Sequence, residues 1–521
     1  MLADFQNETQ FPPNPDVIVV GAGAVGLALA VDLARAGKRV LLLEAGNHDL
    51  TDDSQAFFAS AVSTGNDLKG LHHGRFRTLG GTTTAWGGQL VPLDPIVLES
   101  RDWVPDGGWP IARTELDAAY ELAFDVFGMH KRIDDGAVWK RLRVAPPDTG
   151  EDMEFFFSRW TPVPNFARLF ERDLASNPNL QTLTNAPVTG LDRSENGRTF
   201  GVTVTGRDGR RHLLDARKVV LAQGTIETAR LLSMPLNDGR AAPWSDSPWL
   251  GRGFCDHVDV DAGRVTLLDQ SRFHKLFDAA FLDGLKYLPK LKLSQEAQRR
   301  ERLLGIAAHF VFDSRYVDDL RALKSFARGV LNRQFEDIPR PRKILPMSRV
   351  ALLALAHYLR GRRIYNPGDR GITLRLTGEQ VAVRESGLRL TDRKDALGMP
   401  IVEMDWRIDG AELATMAAFG TQLAGFLESE GLAQVELDPQ LLNRDPAFLS
   451  RVEDGFHHMG MARMGRSAQD GVVDHNLKVF GTDNVFVTGA ATFRSTGFPN
   501  PTLTGIALGL RLSRAIQEGR V

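Results

Sequence analysis

The feature that most constrains this chain is a glycine-rich turn directly after a short apolar run near its N-terminus. The segment reads Asp16-Val-Ile-Val-Val-Gly21-Ala-Gly23-Ala-Val-Gly26. Its β-branched run is typical of a buried parallel strand. The Ala/Leu-rich residues 25–36 predict a helix that Gly37 ends. Arg39 to Leu43 predicts a second strand, so the whole is a strand–helix–strand unit of about thirty residues.

The spacing of these glycines indicates a dinucleotide site. Gly21 permits a tight turn, Gly23 lets the backbone approach a pyrophosphate, and Gly26 lets the helix and strand pack closely. The helix that starts near Ala24 presents free N–H groups to phosphates. Glu44 follows Gly26 by 18 residues, where a carboxylate accepts hydrogen bonds from ribose hydroxyls and disfavours a 2′-phosphate. NADP is therefore disfavoured, FAD and NAD are not separated, and a glycine turn without a ligand is the alternative.

A second glycine-rich stretch, residues 77–88, favours a longer cofactor. Its small and hydroxyl side chains suit an extended molecule such as FAD, and the alternative is a surface loop, in which a tryptophan is unusual. Lys218-Val-Val-Leu opens a further strand–turn–helix unit that we expect in the same sheet. The cofactor-binding candidates from these regions are Arg77, Gly80, Gly81, Thr82, Thr84, Trp86, Gly87, Val188 and Gly224.

Composition limits the class of protein. The 521 residues suffice for about two to four domains, and 43% hydrophobic with 25% charged residues is ordinary for a globular chain. The formal net charge of −2 gives no general attraction to nucleic acid. Cys255 is the one cysteine, which excludes an internal disulfide, and we expect no metal site. Because we find neither a signal-peptide pattern nor a run of about 18 apolar residues, we expect a cytoplasmic protein.

Six segments, in the right order, resemble the glucose–methanol–choline (GMC) oxidoreductases, which depend on FAD. They are the N-terminal glycine unit, residues 80–88, residues 108–111, residues 219–232, residues 251–257 and residues 463–521. The loop at residues 80–86 and the segment Asn500-Pro-Thr-Leu-Thr504 are most similar to the pyranose oxidase and sugar 3-oxidase branch. Residues 265–370 match the family poorly.

The resemblance implies an α/β fold (α+β overall). We expect a Rossmann-like FAD-binding domain that carries a discontinuous substrate domain built on an antiparallel sheet. The FAD-binding domain is expected at residues 1–100, 180–262 and 454–521. The substrate domain is expected at residues 101–179 and 263–453.

The C-terminal part supplies side chains that can take a proton from an alcohol. Histidine is suited to this role at physiological pH. In the family pattern the catalytic histidine stands three residues before a glycine, so Gly460 selects His457. His458 is the alternative base, although its side chain points the other way in an extended segment. Asn500 is the predicted hydrogen-bond partner of the base, or else a plain helix-capping or pre-proline turn residue. We interpret His257 as structural or close to the cofactor.

The resemblance also assigns cofactor contacts near the C-terminus. Gly489 and Ala490 are expected against the flavin pyrophosphate. Asn500, Pro501 and Thr502 are expected at the start of the last helix, which faces the flavin ring. The free N–H groups of that helix would stabilise negative charge on the ring.

A basic insertion at residues 321–363 stands apart from the family pattern. It contains eleven Lys or Arg residues and two acidic residues. An apolar stretch from Ile344 to Leu359 lies within it and is interrupted by Pro346 and Arg349. One interpretation is a surface helix pair, docked on the body or in an oligomer interface. The other is peripheral contact with an anionic membrane at its inner face, or with an acidic substrate such as a lipid-linked glycan.

The predicted function is FAD-dependent oxidation of an alcohol, with a secondary hydroxyl of a sugar or glycoside as the expected substrate. His457 takes the hydroxyl proton, and a hydride passes to the flavin. Dioxygen or a separate electron acceptor then reoxidises the flavin. The alternatives are oxidation of a lipid-linked or hydrophobic alcohol at a membrane surface, and a non-catalytic flavin-binding module.

The first prediction concerns the attachment of FAD. Some relatives bind FAD covalently through a histidine just before the tryptophan of the loop, and this chain has Ala85 there. An alanine methyl group cannot form that bond, so acid precipitation of the holoprotein should release the flavin into the supernatant. Flavin absorbance that stays with the denatured polypeptide would contradict this expectation.

Overall fold

A computed structural model describes residues 1–7, 15–194, 199–316, 318 and 344–521, of which 344–350 are described by their backbone alone. Within them the strands are β1 (Leu2–Asp4), β2 (Val17–Val20), β3 (Val40–Leu43), β4 (Val62–Gly65), β5 (Gln89–Leu90), β6 (Met153–Trp160), β7 (Leu180–Thr184), β8 (Val188–Arg193), β9 (Phe200–Thr205), β10 (Arg211–Leu214), β11 (Lys218–Leu221), β12 (Val258–Leu267), β13 (Ala280–Leu282), β14 (Leu285–Leu293), β15 (Ile306–Asp313), β16 (Gly371–Gly378), β17 (Gly387–Lys394), β18 (Pro400–Trp406), β19 (Ala433–Leu437), β20 (Glu453–Asp454) and β21 (Val485–Val487). The α-helices are α1 (Ala24–Arg35), α2 (Asp52–Ala59), α3 (Pro95–Leu98), α4 (Thr114–Val126), α5 (Asp135–Leu142), α6 (Phe166–Leu169), α7 (Glu171–Ser176), α8 (Thr225–Ser233), α9 (Gln270–Phe277), α10 (Gln295–Glu301), α11 (Ile344–Gly361), α12 (Ala411–Ser429), α13 (Pro439–Leu442) and α14 (Pro501–Gln517).

A parallel sheet forms the base of the fold, with strand order β1-β7-β3-β2-β11-β21. All four residues of β2 and of β3 are buried, as their apolar sequences require in a sheet that is covered on both faces. Strand β2 pairs in parallel with β3 and with β11. The predicted strand–helix–strand unit and the later strand at Lys218 therefore share one sheet. The predicted α/β fold class, with a Rossmann-like domain, is confirmed.

Two glycines in the first turn are required by close backbone approaches. Gly21 has a φ of +98°, and a Cβ there would lie 2.7 Å from the Cα of Gln223. A Cβ on Gly26 would lie 1.9 Å from the carbonyl oxygen of Gly21. Neither position tolerates a side chain, because the backbones of β2, α1 and the end of β11 are in direct contact there.

An antiparallel sheet forms the second layer, with strand order β19-β12-β16-β15-β14-β6-β5, to which β13 and β20 add pairs. Phe156 of β6 packs on Phe498, with their ring centroids 5.5 Å apart, and Val91 and Ala307 join this cluster. Because Phe498 lies two residues before Asn500, this face of the sheet covers the start of α14. The sheet draws β5 and the first half of β12 from segments assigned to the FAD-binding domain, and the predicted domain boundaries stay a prediction.

The remaining sheets and the insertion lie outside these two layers. Strands β17 and β18 form an antiparallel hairpin, and β4 extends it in parallel. Strands β8 to β10 form a separate antiparallel sheet. Of the insertion, residues 321–343 lie outside the described residues, and α11 is the helix seen in the rest. In the described part of the chain, no helix is long and apolar enough to cross a membrane.

The second prediction concerns a buried ion pair at the junction of the layers. Arg101 donates two hydrogen bonds to Glu379, at 2.9 and 2.6 Å, and the two side chains are 1% and 0% exposed. Arg101→Leu leaves Glu379 buried without its partner and should lower the free energy of unfolding by about 3–5 kcal/mol. Arg302→Leu breaks the exposed pair with Asp102 and should cost less than about 1 kcal/mol. Equal losses for both variants in urea unfolding would contradict this assignment.

Candidate active site

A cavity opens at the carboxyl ends of β2, β3 and β11, which is where parallel sheets of this type bind ligands. Most of the residues predicted to contact a cofactor contribute to its wall. They are Gly21, Gly23, Ala24, Glu44, Arg77, Gly81, Thr82, Trp86, Val188, Gly224, Gly489, Ala490, Pro501 and Thr502. Segments as distant in sequence as β2 and α14 thus meet around one cavity.

Five of the predicted cofactor residues, Gly26, Gly80, Thr84, Gly87 and Asn500, are not among the residues that line the cavity. Gly26 packs against the preceding turn. The N–H of Gly80 and the hydroxyl of Thr84 each donate to a backbone carbonyl at 2.9 Å. The α-carbon of Gly87 faces the indole of Trp160. Contact of these five residues with a cofactor stays a prediction.

The cavity suits the phosphates of a dinucleotide. A Cβ built on Gly23 or on Gly224 would meet no protein atom within 4 Å, so both α-carbons face open space. Gly23 precedes α1 and Gly224 precedes α8, and neither helix has a side-chain cap. Their first N–H groups are therefore free to bind an anion, and the partial positive charge of each helix N-terminus favours it. The residues present fit the pyrophosphate of FAD.

Glu44 lies in the wall with its carboxylate fixed by the backbone. Its two oxygens accept N–H groups of Ala22 at 2.9 Å and Gly46 at 2.8 Å. Burial raises the pKa of this carboxyl group, and these hydrogen bonds oppose the shift. The turn therefore holds Glu44 at the end of β3, and its contact with a ribose stays a prediction.

A charged network in the same wall was not predicted. Arg230 of α8 contacts Asp395 at 2.7 Å and Glu227 at 3.2 Å, and Glu227 also contacts Arg75 at 3.1 Å. The sequence could have indicated Glu227 and Arg230 as site residues, because both follow Gly224 in the helix that begins there. No sequence pattern indicates Asp395, since it reaches the cavity from the turn between β17 and β18. Together these groups make one wall of the cavity strongly polar.

The predicted base and its partner are in contact. The side-chain amide nitrogen of Asn500 lies 2.8 Å from Nε2 of His457. Asn500 is also the residue before α14, but its side chain makes no capping hydrogen bond there. Pro501 at the first helical position needs no such cap for its own nitrogen. Of the two interpretations of Asn500, the structure has the one in which it contacts the histidine.

A buried carboxylate holds the loop that carries His457. Asp256 accepts the backbone N–H groups of Gly455 at 3.0 Å and His457 at 2.9 Å. Burial, followed by the charge of Asp454, raises the pKa of Asp256 well above its usual value. Between these two anchored residues Phe456 adopts a φ of +59°, which is unfavourable for a side chain of this size. The strain is imposed by the hydrogen bonds on either side, and it directs His457 toward the cavity.

His257 contacts the other nitrogen of the base. The Nδ1 atoms of His257 and His457 are 3.0 Å apart, and His257 is fully buried. In the arrangement in which the amide of Asn500 donates to Nε2 of His457, the ring proton of His457 lies on Nδ1 and faces Nδ1 of His257. The electron pair of Nε2 then accepts the amide N–H of Asn500, and an alcohol hydroxyl reaches it by taking the place of that amide. The sequence placed His257 near the cofactor and did not foresee its contact with the base.

His458, the alternative base, lines the same cavity as His457. Its ring lies near Asp256 and Asp454, with ligand-type atoms of all three residues within 4.8 Å of one another. These are groups that a cation accepts as ligands, although the sequence predicted no metal. Backbone N–H groups of Gly70 and His457 already bind the two carboxylates, which compensates their charge without an ion.

The base is neutral near pH 7. Burial lowers the pKa of His457 to about 4, and the ammonium group of Lys290 adds to the shift. A neutral imidazole is the protonation state that can take a proton from an alcohol. The site therefore combines a dinucleotide cavity with a base held at both ring nitrogens.

Two known protein families match two separate parts of this chain. A family described as FAD dependent oxidoreductase matches residues 16–243, and one described as GMC oxidoreductase matches residues 383–509. The fold and the site define a flavoenzyme, an FAD-dependent oxidoreductase. Residues 16–243 are thus similar to the FAD-dependent oxidoreductases, and residues 383–509 are similar to the GMC oxidoreductases.

Individual relatives are distant. The 2-methyl-1,2-propanediol dehydrogenase of Mycolicibacterium austroafricanum is 23% identical, over 95% of this chain and 94% of that protein. The fructose dehydrogenase large subunit of Gluconobacter japonicus is 23% identical, over 64% of this chain and 53% of that protein. The solved structure of a fungal aryl-alcohol oxidase is 13% identical with a TM-score of 0.60, and the match covers 98% of this chain and 100% of that one.

The third prediction separates cofactor contact from fold. Gly23→Ala points a methyl group into the cavity and meets no protein atom, so it should weaken FAD retention on gel filtration by about tenfold while the Tm of the flavin-free protein changes little. Gly26→Ala collides with the Gly21 carbonyl inside the fold and should lower that Tm as well. Unchanged flavin retention in Gly23→Ala would contradict the placement of the phosphates.

Proposed function

We propose that this FAD-dependent alcohol oxidoreductase oxidises a secondary hydroxyl of a sugar or glycoside to a ketone, with His457 as the base and Asn500 as its partner. The observation that carries the proposal is the contact of 2.8 Å between Asn500 and Nε2 of His457 at the start of α14. Two groups that recognise a single hydroxyl oxygen, one as acceptor and one as donor, stand side by side there. Bound FAD supplies the acceptor for the hydride that leaves the carbinol carbon.

The protein groups divide the work on the hydroxyl between them. Nε2 of His457 accepts the hydroxyl proton once the alcohol has displaced the amide of Asn500 from its electron pair, while Nδ1 carries the ring proton. The amide of Asn500 donates to the same oxygen and fixes its direction without adding charge. His257 accepts the Nδ1 proton of His457 and so keeps the ring in this tautomer and orientation. After proton transfer the imidazolium form of His457 is buried, and the adjacent carbonyl oxygen of the product is a hydrogen-bond acceptor for it.

A polar sheet face next to the base favours a polyhydroxylated substrate. Lys290 of β14 pairs in register with Phe156, whose ring packs on Phe498 just before Asn500. His309 of β15 pairs in register with Arg375 of β16. The pKa of His309 is lowered to about 3 by burial and then by Lys290 and Arg375, so these three groups are neighbours. An aryl or aliphatic alcohol has no groups to satisfy them.

Two charged groups on this face are incompletely paired within the described part of the protein. Oδ1 of Asp259 is buried without a hydrogen bond, while Thr377 donates to this carboxyl group. Lys290 has no ion pair within 4.0 Å among the described residues, and burial lowers its pKa to about 8. A carboxyl oxygen and an ammonium group on one sheet face match the acceptor and donor pattern of vicinal hydroxyls. Sugar hydroxyls would satisfy both.

The name of one relative agrees with a sugar substrate. It is named for fructose, whereas another relative is named for an aliphatic diol with one primary and one tertiary hydroxyl. The pyranose oxidase and sugar 3-oxidase branch remains our proposal on the loop at residues 80–86 and the segment after Asn500. Reoxidation by dioxygen or by a separate electron acceptor and a cytoplasmic location are likewise proposals.

A lipid-linked or hydrophobic alcohol is the second candidate substrate. The observation that favours it is the set of exposed leucines on α11. A non-catalytic flavin-binding module is the third candidate function, and the contacts at both nitrogens of His457 argue against it.

The fourth prediction tests the base. Under anaerobic conditions a sugar or glycoside should bleach the flavin absorbance of the wild-type holoenzyme. His457→Ala should retain FAD and lose about 10²–10⁴-fold in the rate of flavin reduction, because only proton abstraction is removed. An unchanged rate would refute the assignment of the base. Bleaching by long-chain alcohols and not by any sugar or glycoside would favour the second candidate, and no bleaching by any alcohol would favour the third.

The fifth prediction concerns pH. Because the folded-state pKa of His457 is depressed to about 4, the base is neutral above that value and activity should be lost only as pH falls toward 4. Lys290→Met removes a neighbouring cation, so the pKa should rise and the acid limb of kcat/KM should move to higher pH. Lys286→Met, on the same strand, should leave the limb in place. An unmoved limb in Lys290→Met would contradict the coupling.

A further inference from the structure

Helix α11 turns a row of leucines toward solvent. Leu352, Leu355 and Leu359 are 67%, 52% and 73% exposed, and Leu353 is 40% exposed. The first three recur at the three- and four-residue spacing that places side chains on one face of a helix. A surface helix normally presents polar side chains on this side. The outward face of α11 is therefore an apolar strip that no other residue described by the structure covers.

Contacts on the opposite side fix the orientation of this strip. His357 lies 3.5 Å from the carboxylate of Asp278. The carbonyl oxygen of Arg362 accepts the N–H of Phe281 at 2.8 Å, and the guanidinium of Arg363 donates to the carbonyl oxygen of Asp278 at 2.7 Å. The end of α11 is thus tied to the start of β13, and the leucines point away from the body.

Exposed basic side chains stand at the C-terminal end of the strip. Residues 344–368 contain no Asp or Glu. Arg360 and Arg362 are exposed at the C-terminal end of the helix. Arg362, Arg141 and Lys131 all act electrostatically on Asp283, so these cations lie close together at this end. Asp283 is paired with Arg141 at 2.9 Å.

We propose that this face of α11 binds the surface of an anionic lipid bilayer. The leucine strip would enter the boundary between headgroups and acyl chains, with Arg360 and Arg362 at the level of the lipid phosphates. An apolar strip bordered by arginines is the pattern by which helices lie on anionic membranes. A second copy docked by the same face would offer these arginines no anionic partner on that face, because residues 344–368 contain no Asp or Glu. The proposal does not depend on the substrate proposed above.

The test is co-sedimentation of the flavin-loaded full-length protein with vesicles. Vesicles of phosphatidylcholine with about 30% phosphatidylglycerol should bind the protein at low salt. Binding should fall as salt is raised, because the arginine contribution is screened. Vesicles of phosphatidylcholine alone should bind it at least about tenfold more weakly.

Variants separate the apolar and the charged contributions. Leu352→Gln/Leu359→Gln should weaken vesicle binding by about tenfold or more, whereas Leu213→Gln/Leu442→Gln, at similarly exposed leucines elsewhere, should not. Arg360→Gln/Arg362→Gln should weaken binding by about fivefold for each arginine, and Arg240→Gln should have no effect. Flavin retention and Tm show whether each variant is folded, because the strip makes no contact with the cavity.

Three results would overturn the proposal. One is no binding of the wild-type protein to anionic vesicles at low salt. The second is equal loss of binding in the control variants. The third is a wild-type dimer that dissociates in Leu352→Gln/Leu359→Gln without any binding to vesicles, which would make the strip an interface between copies of the chain.

Discussion

The geometry of the active site depends on one buried carboxylate. Asp256 stands directly before β12 and accepts the N–H groups of His257, Gly455 and His457 at 2.6–3.0 Å. Burying an ionised carboxylate is costly, and several N–H donors are needed to offset the loss of water. The N–H groups of Gly455 and His457 reach Asp256 only when the loop around Phe456 folds back onto the antiparallel sheet. The requirement to solvate Asp256 is thus what fixes the conformation of the loop that carries the base.

The base is consequently held by three separate parts of the chain. Its backbone is bound by Asp256, its Nδ1 by His257 from the edge of the antiparallel sheet, and its Nε2 by Asn500 from the start of α14. Each contact comes from the end of a regular element, so none relies on a mobile side chain for its position. Small displacements of a catalytic group are costly, and this arrangement restricts both rotation and tautomer of His457. It also places the base between the parallel sheet and the polar face of the antiparallel sheet.

Much of the fold could be predicted from the sequence, because the constraints on it act between residues that are close together in the chain. The glycines of the first turn and the apolar strands around them specify the strand–helix–strand unit within about thirty residues. The pairing of His457 with Asn500 came from the resemblance to a family and not from any spacing in the chain. The contacts of His257 with His457 and of Arg230 with Asp395 were missed, since each joins residues more than 150 positions apart. Histidines and charged residues of this kind carry no pattern that distinguishes a long-range contact from an exposed position.

The single cysteine acquires a use from its position in this framework. Cys255 is buried beside Asp256, and its backbone pairs with Met459 on the far side of the base. Burial raises the pKa of the thiol far above its ordinary value, so the closed site gives a thiol reagent neither access nor a thiolate. The rate at which Cys255 is alkylated therefore measures how often the segment around the base opens. Alkylation of Cys255 would thus report whether the segment around His457 is closed and the active site is intact.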